Sequence, residues 1–190
     1  MDILSAFGLS ASAGLNAYIP LLVVALLGKF TDLITLNSPW DTLESWWVIG
    51  VLMLLSLVEF FADKIPAVNH INDILQTVIR PIAGAIVFAA SAQIITNIHP
   101  VLAMIMGLIV AGSVHAVKSI AVRPAVTATT AGTGNVPVSI AGDIISTIIS
   151  IIAAVTPVLI AVLLVLSAAF IVWLIWRRIN HERAQQKNSY

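Results

Sequence analysis

EFFADKIPAVNHINDILQTVIRP, from Glu59 to Pro81, concentrates charge between two apolar stretches that are each long enough to enter a bilayer. Within it lie Glu59, Asp63, Lys64, Asn69, His70, Asn72, Asp73 and Arg80. Glu59 and Asp63 are four residues apart, so on a helix they share a face. Asp73 and Arg80, seven apart, fall on roughly one face two turns on. Ionisable side chains at or near membrane depth are costly unless paired or facing a wet cavity, which makes them candidates for a functional site. A charged cytoplasmic turn with helix caps is the plainer reading of the same residues.

The surroundings set the class. The chain has 190 residues, 59% hydrophobic and only 9% charged, with a mean hydropathy of +1.04. A soluble domain carries about 25% charged residues. The apolar runs are too long and too little alternating for barrel strands, which leaves a helical integral membrane protein. Net charge is zero, so no basic field points to nucleic acid. The expected partners are the lipid bilayer and a small ion or charged solute, with a homodimer allowed and no cofactor implied. Cysteine is absent, which excludes disulfides and thiolate metal sites. The N-terminus, MDILSAFGLSASAGLNAYIP, has no positive n-region and is expected to stay as the first membrane helix rather than be cleaved.

Working outward, a first span is expected from about Ile3 to Leu27, closed by Gly28 and Lys29. Its small residues suit close helix packing. The other reading is a helix loosened at Pro20, with freed backbone groups lining a cavity and Asn16 as a polar contact. Phe30 to Ser45 reads as a surface loop, and Trp46 and Trp47 open a second span at an aromatic belt. Pro81 should bend or break the helix that contains it. A fourth span, about Val101 to Val122, carries His115, Lys118 and Ser119 on one face and closes at Arg123 and Pro124. Thr127 to Pro137 reads as a flexible loop without a phosphate-loop ending. From Pro137 to Trp176 the one charge is Asp143, leaving room for two spans punctuated at Thr156-Pro157. Arg177, Arg178, Arg183 and Lys187 form a basic tail, which argues for a cytoplasmic C-terminus.

The fold expected is all-α: a polytopic helical bundle of about five or six crossings, in one transmembrane domain over 1–176 with a polar tail over 177–190. Six spans would put both termini in the cytoplasm and the acidic Phe30–Ser45 loop outside. An internal repeat is also legible. GLSASAGLNAYIPL (Gly8–Leu21) aligns with GLIVAGSVHAVKSI (Gly107–Ile120), and VNHINDILQTVI (Val68–Ile79) with VSIAGDIISTII (Val138–Ile149), placing Asp73 on Asp143 and Thr77 on Thr147. Repeats of this kind, often inverted, build many transporters, with the site where the halves meet. The halves would be 8–98 and 107–176. In a plain six-span bundle the Gly-Leu helices run oppositely while the Asp helices run the same way. Re-entrant half-helices at Asn69–Ile79 and Ser139–Ile149 are one escape.

SAGLNAYIPLL, E-x-x-x-D-K-I-P, Asn-Asp near an Arg-Pro, and G-N-x-P-V-S-I before an acid together resemble an uncharacterised bacterial membrane family catalogued as domain of unknown function 4126. The similarity spans roughly Leu9 to Leu164. It implies a multi-spanning inner-membrane protein and carries over no activity and no site residues. A weaker similarity is to small cation exchangers built from two three-helix repeats. Glu59-Phe-Phe-Ala-Asp63-Lys64 has one residue too many for their motif, and the second half has no counterpart.

The candidate binding residues are Asn16, Glu59, Asp63, Asp73, Arg80, His115, Lys118, Arg123 and Asp143. Four acids (Glu59, Asp63, Asp73, Asp143) and four bases (Lys64, Arg80, Lys118, Arg123) sum to zero. They read either as structural salt bridges or as a site where acids take a cation and bases an anionic solute or lipid head group. A divalent site would draw on Glu59, Asp63, His70, Asp73 and His115, without a compact ligand spacing. The leading expectation is a transporter or channel moving an ion or small charged solute between two repeats. A membrane enzyme, a lipid head-group handling protein and a non-catalytic scaffold stay open, although no catalytic signature is present. Asp73 and Asp143 could also serve simply as helix-start residues.

Overall fold

The structure, a computed structural model, describes residues 3–64, 66–92, 98–155, 165–170, 173, 176 and 177, without the side chains of 66–71. The Thr156-Pro157 punctuation, the side chain of His70 and the tail beyond Arg177 lie outside the described residues. All regular elements among the described residues are helical: α1 (Ile3–Leu15), α2 (Tyr18–Phe30), a 3-10 turn (Trp40–Glu44), α3 (Trp46–Ala62), α4 (Pro66–Ala92), α5 (Pro100–Ala116), a π-helical segment (Val117–Val122), α6 (Arg123–Thr130) and α7 (Asn135–Val155). Residues 72–92, 100–130 and 135–155 are long and apolar enough to cross a membrane. Trp46 and Trp47 are exposed at the head of α3, as an aromatic belt requires.

The first span differs from expectation. It breaks at Asn16-Ala17, four residues before Pro20, and the two pieces fold back as a hairpin. Each piece has 13 residues, or ~20 Å at the helical rise, short of the ~30 Å hydrocarbon core. The reversal is visible at the far ends. Lys29 Nζ donates to the Glu44 carbonyl at 2.8 Å, and Trp40, four residues earlier, packs in a cluster with Ala6, Phe7, Phe88 and Ala103. The end of α2 therefore returns to the end where α1 begins. The half-helices are α1 and α2, whereas Asn69–Ile79 and Ser139–Ile149 lie inside long continuous helices.

Two other punctuation marks are overridden. α4 is not broken at Pro81, which lies inside the helix with its ring beside Gly112 of α5. The helix begun at Pro100 does not close at Arg123 and Pro124. It passes through the π turn into α6, where Pro124 occupies the first turn and has no N–H to lose. The Thr-rich loop shrinks to four residues, with Ala131 and Gly132 at positive φ.

Small residues pack the centre. Ser10 Oγ lies 3.0 Å from the Gly84 carbonyl and 2.9 Å from that of Gly107, one hydroxyl proton joining α1, α4 and α5. Ser12 Oγ lies 2.7 Å from both Ser146 Oγ and Ser150 Oγ, which ties α1 to α7. The glycine faces read from the sequence are used within the chain: Gly14 and Gly84 both pack against Ala111. α1 and α5 run toward the level of Asn16 and His115, while α4 and α7 run away from it.

Candidate functional site

The break in the hairpin leaves backbone groups that a continuous helix would satisfy, and buried groups of this kind need partners. Asn16 Oδ1 accepts from the Tyr18 and Ile19 amides at 3.1 Å, capping the start of α2. Its Nδ2 donates to Asp143 Oδ1 at 3.0 Å. The carbonyl of Leu15, at the end of α1, accepts from Lys118 Nζ at 3.0 Å. A cation at the carboxyl end and an acid-linked amide at the amino end both follow the helix dipole.

Around this tip the structure gathers all nine candidate residues, from six elements. Arg80 of α4 pairs with Glu59 of α3 at 2.8 Å, each side chain being 1% exposed. Asp63, the C-cap of α3, is held on both oxygens. Asn72 Nδ2 donates to Oδ1 at 2.6 Å, while Ser139 Oγ (2.5 Å) and Arg123 Nη2 (3.3 Å) donate to Oδ2. Arg123 also pairs with Asp73. Lys64 reaches Asp143 at 3.7 Å.

His115 is fixed in one tautomer by its neighbours. Arg80 Nη1 lies 3.3 Å from Nδ1, and a guanidinium can only donate, so Nδ1 accepts. The ring proton then sits on Nε2 and points to Thr77 Oγ1 at 3.2 Å, whose own proton goes to the Asp73 carbonyl. Lys118 lies in the π segment, a distortion that recurs at functional sites. It swings inward to the tip, and among the described residues no carboxylate forms an ion pair with it.

Asp73 and Asp143 do not start helices. They lie about two turns inside α4 and α7, so capping does not explain them. Each carries the same local bond: Thr77 Oγ1 donates to the Asp73 carbonyl and Thr147 Oγ1 to the Asp143 carbonyl, both at 2.8 Å. Among the described residues, which leave out the side chain of His70, no group of three or more His, Asp or Glu could hold a metal ion. His115 is instead engaged by Arg80 and Thr77.

The cluster is not saturated. Glu59 Oε2, Gln76 Oε1, Arg80 Nε and Asp143 Oδ2 are buried without a hydrogen-bond partner. A cavity of about 340 Å³, lined by Asp63, Lys64, Ala131, Gly132, Thr133, Asn135 and Val136, lies between the α6–α7 turn and Asp63. Sequence reasoning missed Gln76 and the serines of α7. Asn72, Gln76 and Arg80 recur every four residues, and Ser139, Asp143, Ser146 and Ser150 follow a helical stripe, so the period was available as a signal.

Comparison with known proteins adds the family and stops there. The family model described as "Domain of unknown function (DUF4126)" matches residues 3–177, and the chain belongs to that family. No curated protein and no solved structure matches it.

Proposed function

We propose that this member of the family is a small membrane transporter, moving an ion or small charged solute through the polar cluster at the hairpin tip. The observation that carries the reading is the broken helix ending in a charged, incompletely bonded cluster beside a cavity. Helix breaks at membrane depth are tolerated where they line a cavity, and transporters place substrate at such half-helix ends. Four buried polar atoms of the cluster make no hydrogen bond within the protein, which leaves them available to water or a solute.

The two halves contribute reciprocally, which supports the internal repeat. Lys64, before α4, reaches Asp143 of α7, and Arg123, before α7, reaches Asp73 of α4. With α1 and α5 running one way and α4 and α7 the other, the repeat is of the parallel kind rather than the inverted one. The positive-inside bias of Lys64, Lys118 and Arg123 favours a cytoplasmic position for the cluster and, with the basic tail, for the C-terminus.

The deciding experiment is uptake into proteoliposomes, screened over inorganic cations, inorganic anions and phosphorylated solutes, for wild type against Asp73→Asn and Asp143→Asn. Loss of flux in variants that remain folded supports the reading. Flux unchanged in both would sink it.

A further inference from the structure

A second cavity opens on the flank of the bundle, between α5 with its π segment and α7. It holds about 450 Å³ and is lined by Leu15, Val114, Val117, Val122, Val138 and Ile145, with Lys118, Gly142, Ser113 and Ala141 completing the wall. Its stretch from Ser113 to Val122 covers roughly 13 Å of helix, about one leaflet of the hydrocarbon core. The residues beside it, Val117, Ile120, Ile144 and Ile145, are exposed and apolar, as a lipid-facing surface should be.

The Ser113 hydroxyl is spent on the Ile109 carbonyl at 2.7 Å, so the polar feature that matters in the groove is Lys118. Lys118 is 5% exposed, and its ammonium donates to the Leu15 carbonyl at 3.0 Å. An ammonium has three N–H donors. The other three bases of the cluster have carboxylates: Arg80 has Glu59, Arg123 has Asp63 and Asp73, and Lys64 has Asp143. Residue 142 is glycine where a side chain would cover the ammonium, for a Cβ there would lie 3.0 Å from Lys118 Nζ. An apolar slot with an ammonium that makes no ion pair among the described residues, behind a gap in its wall, matches an anionic amphiphile: chain in the slot, phosphate on the lysine.

We propose that the α5–α7 groove binds an anionic phospholipid of the leaflet nearest the polar cluster, one acyl chain lying along Val114, Val117 and Ile145 and the phosphate accepting from Lys118. The site does not depend on whether a solute crosses the protein. Charge complementarity selects the head group, and the groove's apolar walls select a lipid over a free anion.

The test is photolabelling of the full chain in phosphatidylcholine vesicles doped with phosphatidylglycerol that carries a diazirine on one acyl chain. The same diazirine on phosphatidylcholine is the control. The expected result is label in 138–145, several-fold stronger for the anionic lipid. Lys118→Gln should bring it to the phosphatidylcholine level, and Lys118→Arg should retain it. Because Lys118 also ties the hairpin tip, Ala141→Trp provides a second variant, filling the groove from its exposed rim; it should abolish the label. Equal labelling by the two lipids would overturn the proposal, as would labelling indifferent to Ala141→Trp. Protection by inorganic phosphate alone would assign the site to a free anion instead. A chain-to-chain cross-link through Ala141→Cys that excludes the label would assign the groove to a second copy.

Discussion

Arg80 and Glu59 meet at 2.8 Å on facing helices, yet Arg80 Nε and Glu59 Oε2 are both left without a hydrogen-bond partner. Glu59 thus uses one oxygen of two, and Arg80 gives Nη2 to Glu59 and Nη1 to His115 while its Nε goes unused. Removing one partner strands the other charge in a dry interior, which costs on the order of 3–5 kcal/mol. Glu59→Gln and Arg80→Met should each lower thermal stability in detergent strongly, and the double variant Glu59→Met/Arg80→Met should recover most of the loss. A double variant as unstable as the sum of its parts would mean the two residues act separately.

Asn16 holds the hairpin tip from both sides. Asn16→Ala removes the cap on the Tyr18 and Ile19 amides, a loss of about 0.5–2 kcal/mol, and frees Asp143 Oδ1. The effect should be local. Hydrogen exchange is expected to speed up at Tyr18 and Ile19 well before it does in α3. Unaltered exchange at those two amides would contradict the cap.

The helical class was legible because hydropathy suffices for it, and the ionisable members of the polar cluster were legible because charge inside apolar sequence is expensive wherever it falls. Their pairing was not, since Lys64–Asp143 and Arg123–Asp73 join residues far apart in the chain. The reversal at Asn16 was hidden by composition. Ser, Gly and Ala read equally well as a packed straight helix, and Pro20 drew attention away from the asparagine that caps α2. At Pro81 the local rule asks for a bend or a break, and the helix is not broken, because α4 packs along α1 and α5 on both sides of the proline.

Two glycines separate packing from propensity. A Cβ on Gly84 would run into Ala111 and come within 2.9 Å of the Gly107 carbonyl, whereas one on Gly50 meets nothing within 4 Å. Gly84→Val should destabilise by about 1–3 kcal/mol through overpacking. Gly50→Ala, on the open face of α3, should be neutral or gain up to ~1 kcal/mol of helix propensity. Thermal unfolding of the two variants in one detergent is the comparison. Equal effects would mean that α1, α4 and α5 do not meet at Gly84 as described.

The arrangement of the first two helices has a consequence for topology that separates it from a straight first span. A single helix from Ile3 to Leu27 would put the N-terminus and the Phe30–Ser45 loop on opposite sides of the membrane. The hairpin puts Ile3 and Trp40 at one end, because Trp40 packs in the cluster that contains Ala6 and Phe88 with Ile3 against it. The α6–α7 turn lies at the other end, beside Asp63 and Lys64. The chain has no cysteine, so single cysteines report without background. Ser5 is buried and unsuitable, so one cysteine goes on a short extension before Met1, one replaces Ser38 and one replaces Thr133. A membrane-impermeant maleimide applied to intact cells should label the extension and Ser38→Cys together, and Thr133→Cys only after the membrane is opened. Labelling the extension with Thr133→Cys instead would restore the straight first span. It would also remove the broken tip on which the transport reading rests.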